Sequence, residues 1–251
     1  MRSDRFLRCC AWAVHLYTAG GAVTGILALD CIARGDLRGA LFVMAIALFI
    51  DSTDGPLARI LNVRARLPFF DGSLLDNIVD YLTYVAIPVL FMLRSGIITD
   101  DAVGMTIASV IMVASAYAFC RTDAKTPDHY FRGFPSYWNL AAFYLFCLRL
   151  PLLVNALVLC GLAVMEFLPI KFIYPNRTAP WRRLTLTLAF VWAAVTALML
   201  PKAPSYNPLL LYASLAFIVY YFAMSFALYF HPAAAAPEAD PAHSAAPEPA
   251  T

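Results

Sequence analysis

Eight apolar runs decide most of what this chain can become. They lie at 11–33, 37–60, 73–94, 102–120, 136–149, 151–170, 183–201 and 208–230. A helix needs about 20 apolar residues to cross the hydrocarbon core of a bilayer. Inside lipid, backbone polar groups find no water, and a helix satisfies them within its own segment. The expectation is an all-α polytopic membrane protein of about eight transmembrane helices. The run 136–149 is the shortest and stops at Arg149-Leu150-Pro151. It reads either as a short or tilted span or as one arm of a broken hairpin with 151–170. Composition supports the class: of 251 residues, 62% are hydrophobic and 14% charged, against about 25% charged in a soluble domain. A net charge of +2 gives no reason to expect nucleic acid as a partner. The six cysteines form no CxxC and no Cys/His cluster, so no disulfide framework or zinc site is expected.

Lysine and arginine set orientation, because cytoplasmic segments retain them. With the N-terminus placed inside, thirteen of the eighteen cations fall on the inner side and five on the outer. The five are Arg34, Arg38, Arg94, Arg149 and Lys202. The basic start, MRSDRFLRCCAW, leads into a long apolar run without a clear cleavage site, and reads as a retained first span. From Pro232 the chain turns Pro/Ala-rich with three acids, which reads as a disordered tail over 232–251. The remaining 1–231 form one transmembrane domain. Gly21 and Gly25, four apart in the first run, would let another helix approach closely.

The polar residues inside the runs carry the chemistry. Asp51 and Asp54 are three apart, and Asp76 and Asp80 four apart, so each pair shares one helix face. The two helices are consecutive, and the four acids can meet in one cavity near the inner membrane surface. Acids in a membrane are costly, and like charges at one site do not all stay ionised without compensation. Two divalent cations would balance four carboxylates, and oxygen-only donors favour hard ions such as Mg²⁺ or Mn²⁺. Paired ions of this kind serve displacement at phosphorus. Gly55 and Ala58 share the acids' face, and Gly72 opens the next helix, so ligand has room against the backbone. Pro56 withholds a donor from Ser52 and predicts a kink. Arg59 lies one residue past the face, in reach of a phosphate. Asp71 reads as a helix cap rather than a ligand.

Together these residues resemble the signature of the CDP-alcohol phosphotransferases, DxxDGxxAR followed by GxxxDxxxD. Here it runs Asp51-Ser52-Thr53-Asp54-Gly55-Pro56-Leu57-Ala58-Arg59, then Gly72-Ser73-Leu74-Leu75-Asp76-Asn77-Ile78-Val79-Asp80. All eight defined positions match. Twelve residues separate Arg59 from Gly72, a longer spacer than most members carry. That spacer, the extra spans and the segments FRGFPSYWN (Phe131–Asn139) and PIKFIYPNR (Pro169–Arg177) are similar to a choline-using bacterial branch. The resemblance implies a helical core of the family type and a reaction of CDP-diacylglycerol with choline. It implies that Asp51, Asp54, Asp76 and Asp80 hold two divalent ions, Mn²⁺ or Mg²⁺. It implies that Gly55, Ala58 and Gly72 line the cytidine site, that Arg59 steadies the pyrophosphate, and that Asp80 is the general base. It further implies a homodimer in the bacterial inner membrane, and the cation bias puts both termini and the active site on the cytoplasmic side.

A quaternary ammonium donates no hydrogen bonds, so aromatic faces are its natural partners. Tyr81, Tyr84, Tyr130, Tyr137 and Trp138 are the inner-side candidates. Asn139 and Glu166 are polar groups near inner span ends. Glu166 could balance the ammonium or pair with Lys171. Arg132 is the favoured cation for lipid or diphosphate, and His129 reads as solvated. The alternative keeps the chemistry and changes the acceptor to serine, inositol phosphate or glycerol phosphate. An ion transporter would spread its acids along the membrane depth, which this chain does not do. A membrane scaffold would be indifferent to loss of Asp80.

Overall fold

The computed structural model describes residues 2–124, 126, 128, 130–174, 181–205 and 207–230. Expectations for His129, Arg177 and the 232–251 tail lie outside the described residues. The first two helices are α1 (Arg2–Ala33) and α2 (Leu37–Ile60), followed by the short α3 (Val63–Arg66). The third span is composite, with α4 (Gly72–Asp80), a π-helical turn (Tyr81–Ala86) and α5 (Ile87–Arg94). Then come α6 (Ala102–Cys120), strand β1 (Tyr130–Arg132), α7 (Trp138–Leu148), α8 (Leu152–Phe167) and strand β2 (Lys171–Ile173). The chain closes with α9 (Arg182–Met199), a 3₁₀ turn (Leu200–Lys202) and α10 (Pro208–Phe230).

Six of the eight expected spans are helices long and apolar enough to cross a membrane. The runs 136–149 and 151–170 give shorter helices, α7 of 11 residues and α8 of 16. At 1.5 Å per residue these reach about 17 and 24 Å, short of a core about 30 Å thick. The reason is that the ends of both runs leave the helix. Arg149 turns left-handed at φ +50 and ends α7, and Pro151 caps α8. Asn155 then donates to the Ile97 carbonyl at 2.8 Å, so the α7–α8 turn sits level with the turn after α5.

At the other end of the hairpin, β1 and β2 pair antiparallel with Phe131 opposite Phe172. The purely α expectation missed this ribbon, because two three-residue strands carry no readable periodicity. Gly133, at φ +86, follows β1 and lies so close to α8 that a Cβ would meet the Glu166 carbonyl oxygen at 2.4 Å. Asp123 accepts from Arg121 at 2.8 and 3.0 Å and from Arg132 at 2.7 Å, bracing the segment before β1. The Arg121 hydrogen bonds hold the Asp123 carboxyl down to about 2. Its contribution is therefore present above the ordinary carboxylate value and lost only as pH falls toward 2.

The remaining packing follows simple rules. Side-chain acids cap helix starts: Asp36 accepts from Gly39 N–H, and Asp101 from Val103 and Gly104 N–H. Asp71 does the same for Ser73 and Leu74, the capping role its position predicts. Gly21 and Gly25 let α1 touch the third span. A Cβ on Gly21 would lie 2.4 Å from Val79 Cγ1, and one on Gly25 would lie 2.8 Å from Leu82 Cδ2. The outer surface stays apolar, with Phe49, Leu153, Phe190 and Leu209 exposed, as lipid contact requires.

Candidate active site

The site lies where α2 meets the third span, about 12–14 Å inside the end that carries α3 and Gly72. α2 runs unbroken through Pro56. Asp51, Asp76 and Asp80 each turn one carboxylate oxygen into a common space, all within 4.8 Å of one another. Three anionic oxygens this close repel strongly unless positive charge lies among them. The set is all oxygen, partly buried and of the hard-donor kind, so it fits a divalent cation. Asp54 stands beside this trio. It is only 6% exposed, and its carboxylate accepts from the Thr18 hydroxyl of α1 at 2.7 Å. One residue earlier on both helices, Tyr17 and Thr53 share a hydrogen bond of 2.8 Å.

The third span positions its acids through a local irregularity. Pro88 has no N–H for the Tyr84 carbonyl, and Ile87 N–H instead reaches Leu82, five residues back. The resulting π turn begins directly after Asp80, at a position where such turns often serve function. It carries Tyr84 toward α2, and the phenol donates to Asp51 Oδ2 at 2.6 Å. This contact fixes one member of the trio. Outer partners of metal ligands typically change affinity by about 10–100-fold when removed. Tyr84→Phe is therefore expected to fold, keep its ring, and need about tenfold more divalent cation for half-maximal activity. An unchanged cation requirement would remove that role from the hydroxyl.

The signature's small residues divide. A Cβ on Gly55 would lie 3.3 Å from Arg59 Nη1, so Arg59 folds along the bare backbone there. Ala58 packs beside the cluster of Ala11, Val14, Val63 and Leu67. Gly72 faces His15: a Cβ would meet His15 Cε1 at 2.6 Å. His15 is buried against Phe70, ring centroids 4.4 Å apart, and sequence reasoning did not single it out.

The acceptor candidates also divide. Tyr84 and Tyr137 neighbour each other, with centroids 6.0 Å apart. Tyr81 donates to the Met112 carbonyl, Trp138 is fully buried, and Tyr130 lies under Lys171. Asn139 is buried and accepts from Leu140 N–H. Arg132 is engaged with Asp123. Glu166 does not pair with Lys171, whose ammonium binds Asp128 instead. Its carboxylate is 0% exposed and accepts from Ser115 at 2.9 Å and Ser136 at 2.5 Å, while Trp138 donates to Ser115 at 2.7 Å. Glu166 thus ties α8 to α6 and to the start of α7, with no face open to a ligand.

Helices carrying Asp51, Asp54, Gly55, Ala58, Arg59, Gly72, Asp76 and Asp80 around a carboxylate trio define a class. A family model described as CDP-alcohol phosphatidyltransferase matches residues 18–168, and the chain belongs to that family. Three relatives sharpen the comparison, each a phosphatidylcholine synthase. That of Legionella pneumophila is 47% identical over 168 residues, spanning 66% of this chain and 66% of its own length. That of Borreliella burgdorferi is 40% identical over 181 residues, 72% of this chain and 77% of the relative. That of Legionella bozemanae is 38% identical over 218 residues, 84% of this chain and 100% of the relative.

Proposed function

We propose that the protein is an integral-membrane phosphatidylcholine synthase, joining CDP-diacylglycerol and choline to give phosphatidylcholine and CMP. The observation that carries the reading is the convergence of Asp51, Asp76 and Asp80 in a chain resembling synthases of that name. In this reading Asp51, Asp54, Asp76 and Asp80 hold two divalent cations, manganese or magnesium. Bound there, the cations supply positive charge against the pyrophosphate and the leaving CMP. Asp80 accepts the proton of the choline hydroxyl as its oxygen bonds to the phosphorus that carries diacylglycerol. The bond from that phosphorus to CMP breaks. Arg59, folded along Gly55, steadies the pyrophosphate, and Gly72 lies on the cytidine side. The apolar exterior keeps the acyl chains in the bilayer while choline arrives from water. The orientation follows the cation bias, with active site and termini cytoplasmic in a bacterial inner membrane. A homodimer completes the reading.

The test is an acceptor panel. Purified protein with CDP-diacylglycerol and Mn²⁺ should convert labelled choline to lipid. Serine, inositol phosphate and glycerol phosphate should give none. Labelled lipid from serine alone would move the protein to another branch of the family.

A further inference from the structure

The family match ends at residue 168, yet the chain continues through β2, α9 and α10. The ribbon and α10 bring this extension back to the site. Ile173 N–H donates to Ser225 Oγ at 3.1 Å, and the Tyr221 hydroxyl donates to the Ile173 carbonyl at 3.2 Å. Phe172 stacks on Tyr221 at 24° between ring planes, with centroids 6.1 Å apart. So held, the Tyr221 ring lies 6.3 Å from Tyr137, and Tyr137 lies 6.0 Å from Tyr84. Tyr84 touches Asp51, and Tyr137 is in electrostatic reach of both Asp51 and Asp80. Three rings from distant parts of the chain thus stand in a row that begins at the carboxylate trio.

We infer that Tyr84, Tyr137 and Tyr221 hold the acceptor's quaternary ammonium, and that Tyr221 brings acceptor selectivity from outside the domain shared by the family. The inference rests on the proposed function. Choline's nitrogen is two carbons from its hydroxyl. An acceptor whose hydroxyl meets Asp80 therefore places its methylated nitrogen about one ring away. Aromatic faces attract such a cation, and more strongly when it is desolvated. Tyr84 and Tyr221 are buried, at 4% and 6% exposure, whereas Tyr137 keeps part of its surface open for approach. A phosphorylated acceptor would instead ask for a free guanidinium or ammonium on this wall. The ribbon's two described cations are otherwise engaged, Arg132 with Asp123 and Lys171 with Asp128.

Two variants of the protein test this in mixed detergent–lipid micelles with CDP-diacylglycerol and Mn²⁺. Tyr221→Leu removes the ring, whereas Tyr221→Phe keeps it and removes the hydroxyl with its hydrogen bonds to Ile173 and Tyr137. The expected result is a choline KM raised about tenfold or more in Tyr221→Leu and near wild type in Tyr221→Phe. The KM for CDP-diacylglycerol should stay within about twofold in both. Preference for choline over ethanolamine should fall in Tyr221→Leu alone. An unchanged choline KM in Tyr221→Leu overturns the assignment. So does equal damage in both variants with a raised CDP-diacylglycerol KM, which marks Tyr221 as structural. These outcomes leave the proposed function standing, because wild type still uses choline. A wild-type protein that incorporates no choline overturns the proposed function and this assignment with it.

Discussion

Asp80→Asn is expected to insert, fold and bind CDP-diacylglycerol, yet form lipid at least about a thousandfold more slowly than the parent protein. The amide has the carboxylate's shape but accepts no proton at neutral pH. General-base catalysis by a placed side chain contributes about 10²–10⁴-fold. Asp80 also gives one of the three oxygens in the trio, so its loss weakens the charge balance there. The measurement is initial rate of labelled choline incorporation, with detergent-stable yield as the folding control. Turnover within about tenfold of the parent would remove Asp80 as the base.

Asp51→Ala should be nearly as damaging for a different reason. Its carboxylate is the only one of the trio that α2 supplies, and it is the acceptor of the Tyr84 phenol. Removing it deletes a hard oxygen donor and leaves that phenol to find another partner. A loss of about 4 kcal/mol of transition-state stabilisation corresponds to about a thousandfold in rate. Chelation with EDTA should abolish turnover in the parent protein, and added Mn²⁺ should restore it. In Asp51→Ala, added Mn²⁺ should restore little. Full recovery of that variant at high Mn²⁺ would reduce Asp51 to an affinity-tuning role.

The site's acids were legible because membrane cost makes any ordered set of carboxylates conspicuous, and helix period alone puts Asp76 and Asp80 on one face. Asp71 was separable from them because it stands one residue before Gly72, where a cap belongs. Gly21 and Gly25 were equally readable, since only a close helix justifies them. What the sequence hid depends on long-range packing. Pro88 lies inside the apolar run 73–94, and nothing local to it announced a π turn aiming Tyr84 at Asp51. The ribbon was invisible because Tyr130–Arg132 and Lys171–Ile173 find their pairing only through the α7–α8 hairpin between them. Tyr221 sits in a uniformly apolar helix with no pattern to set it apart. Glu166 looked like a partner for Lys171 five residues on. Only the fold shows Lys171 turned to Asp128 and Glu166 closed among serines. Gly72 suggested room for a ligand, and the structure adds His15 as the group that approaches its bare backbone.

The most direct measurement is Mn²⁺ binding to the purified protein, followed by electron paramagnetic resonance in the presence of CDP-diacylglycerol. Two magnetically coupled ions per chain are expected in the parent protein, with loss of that signal when Asp51 and Asp76 are both replaced by alanine. Unaltered tight binding in the double variant, or no specific ion in the parent, would contradict it.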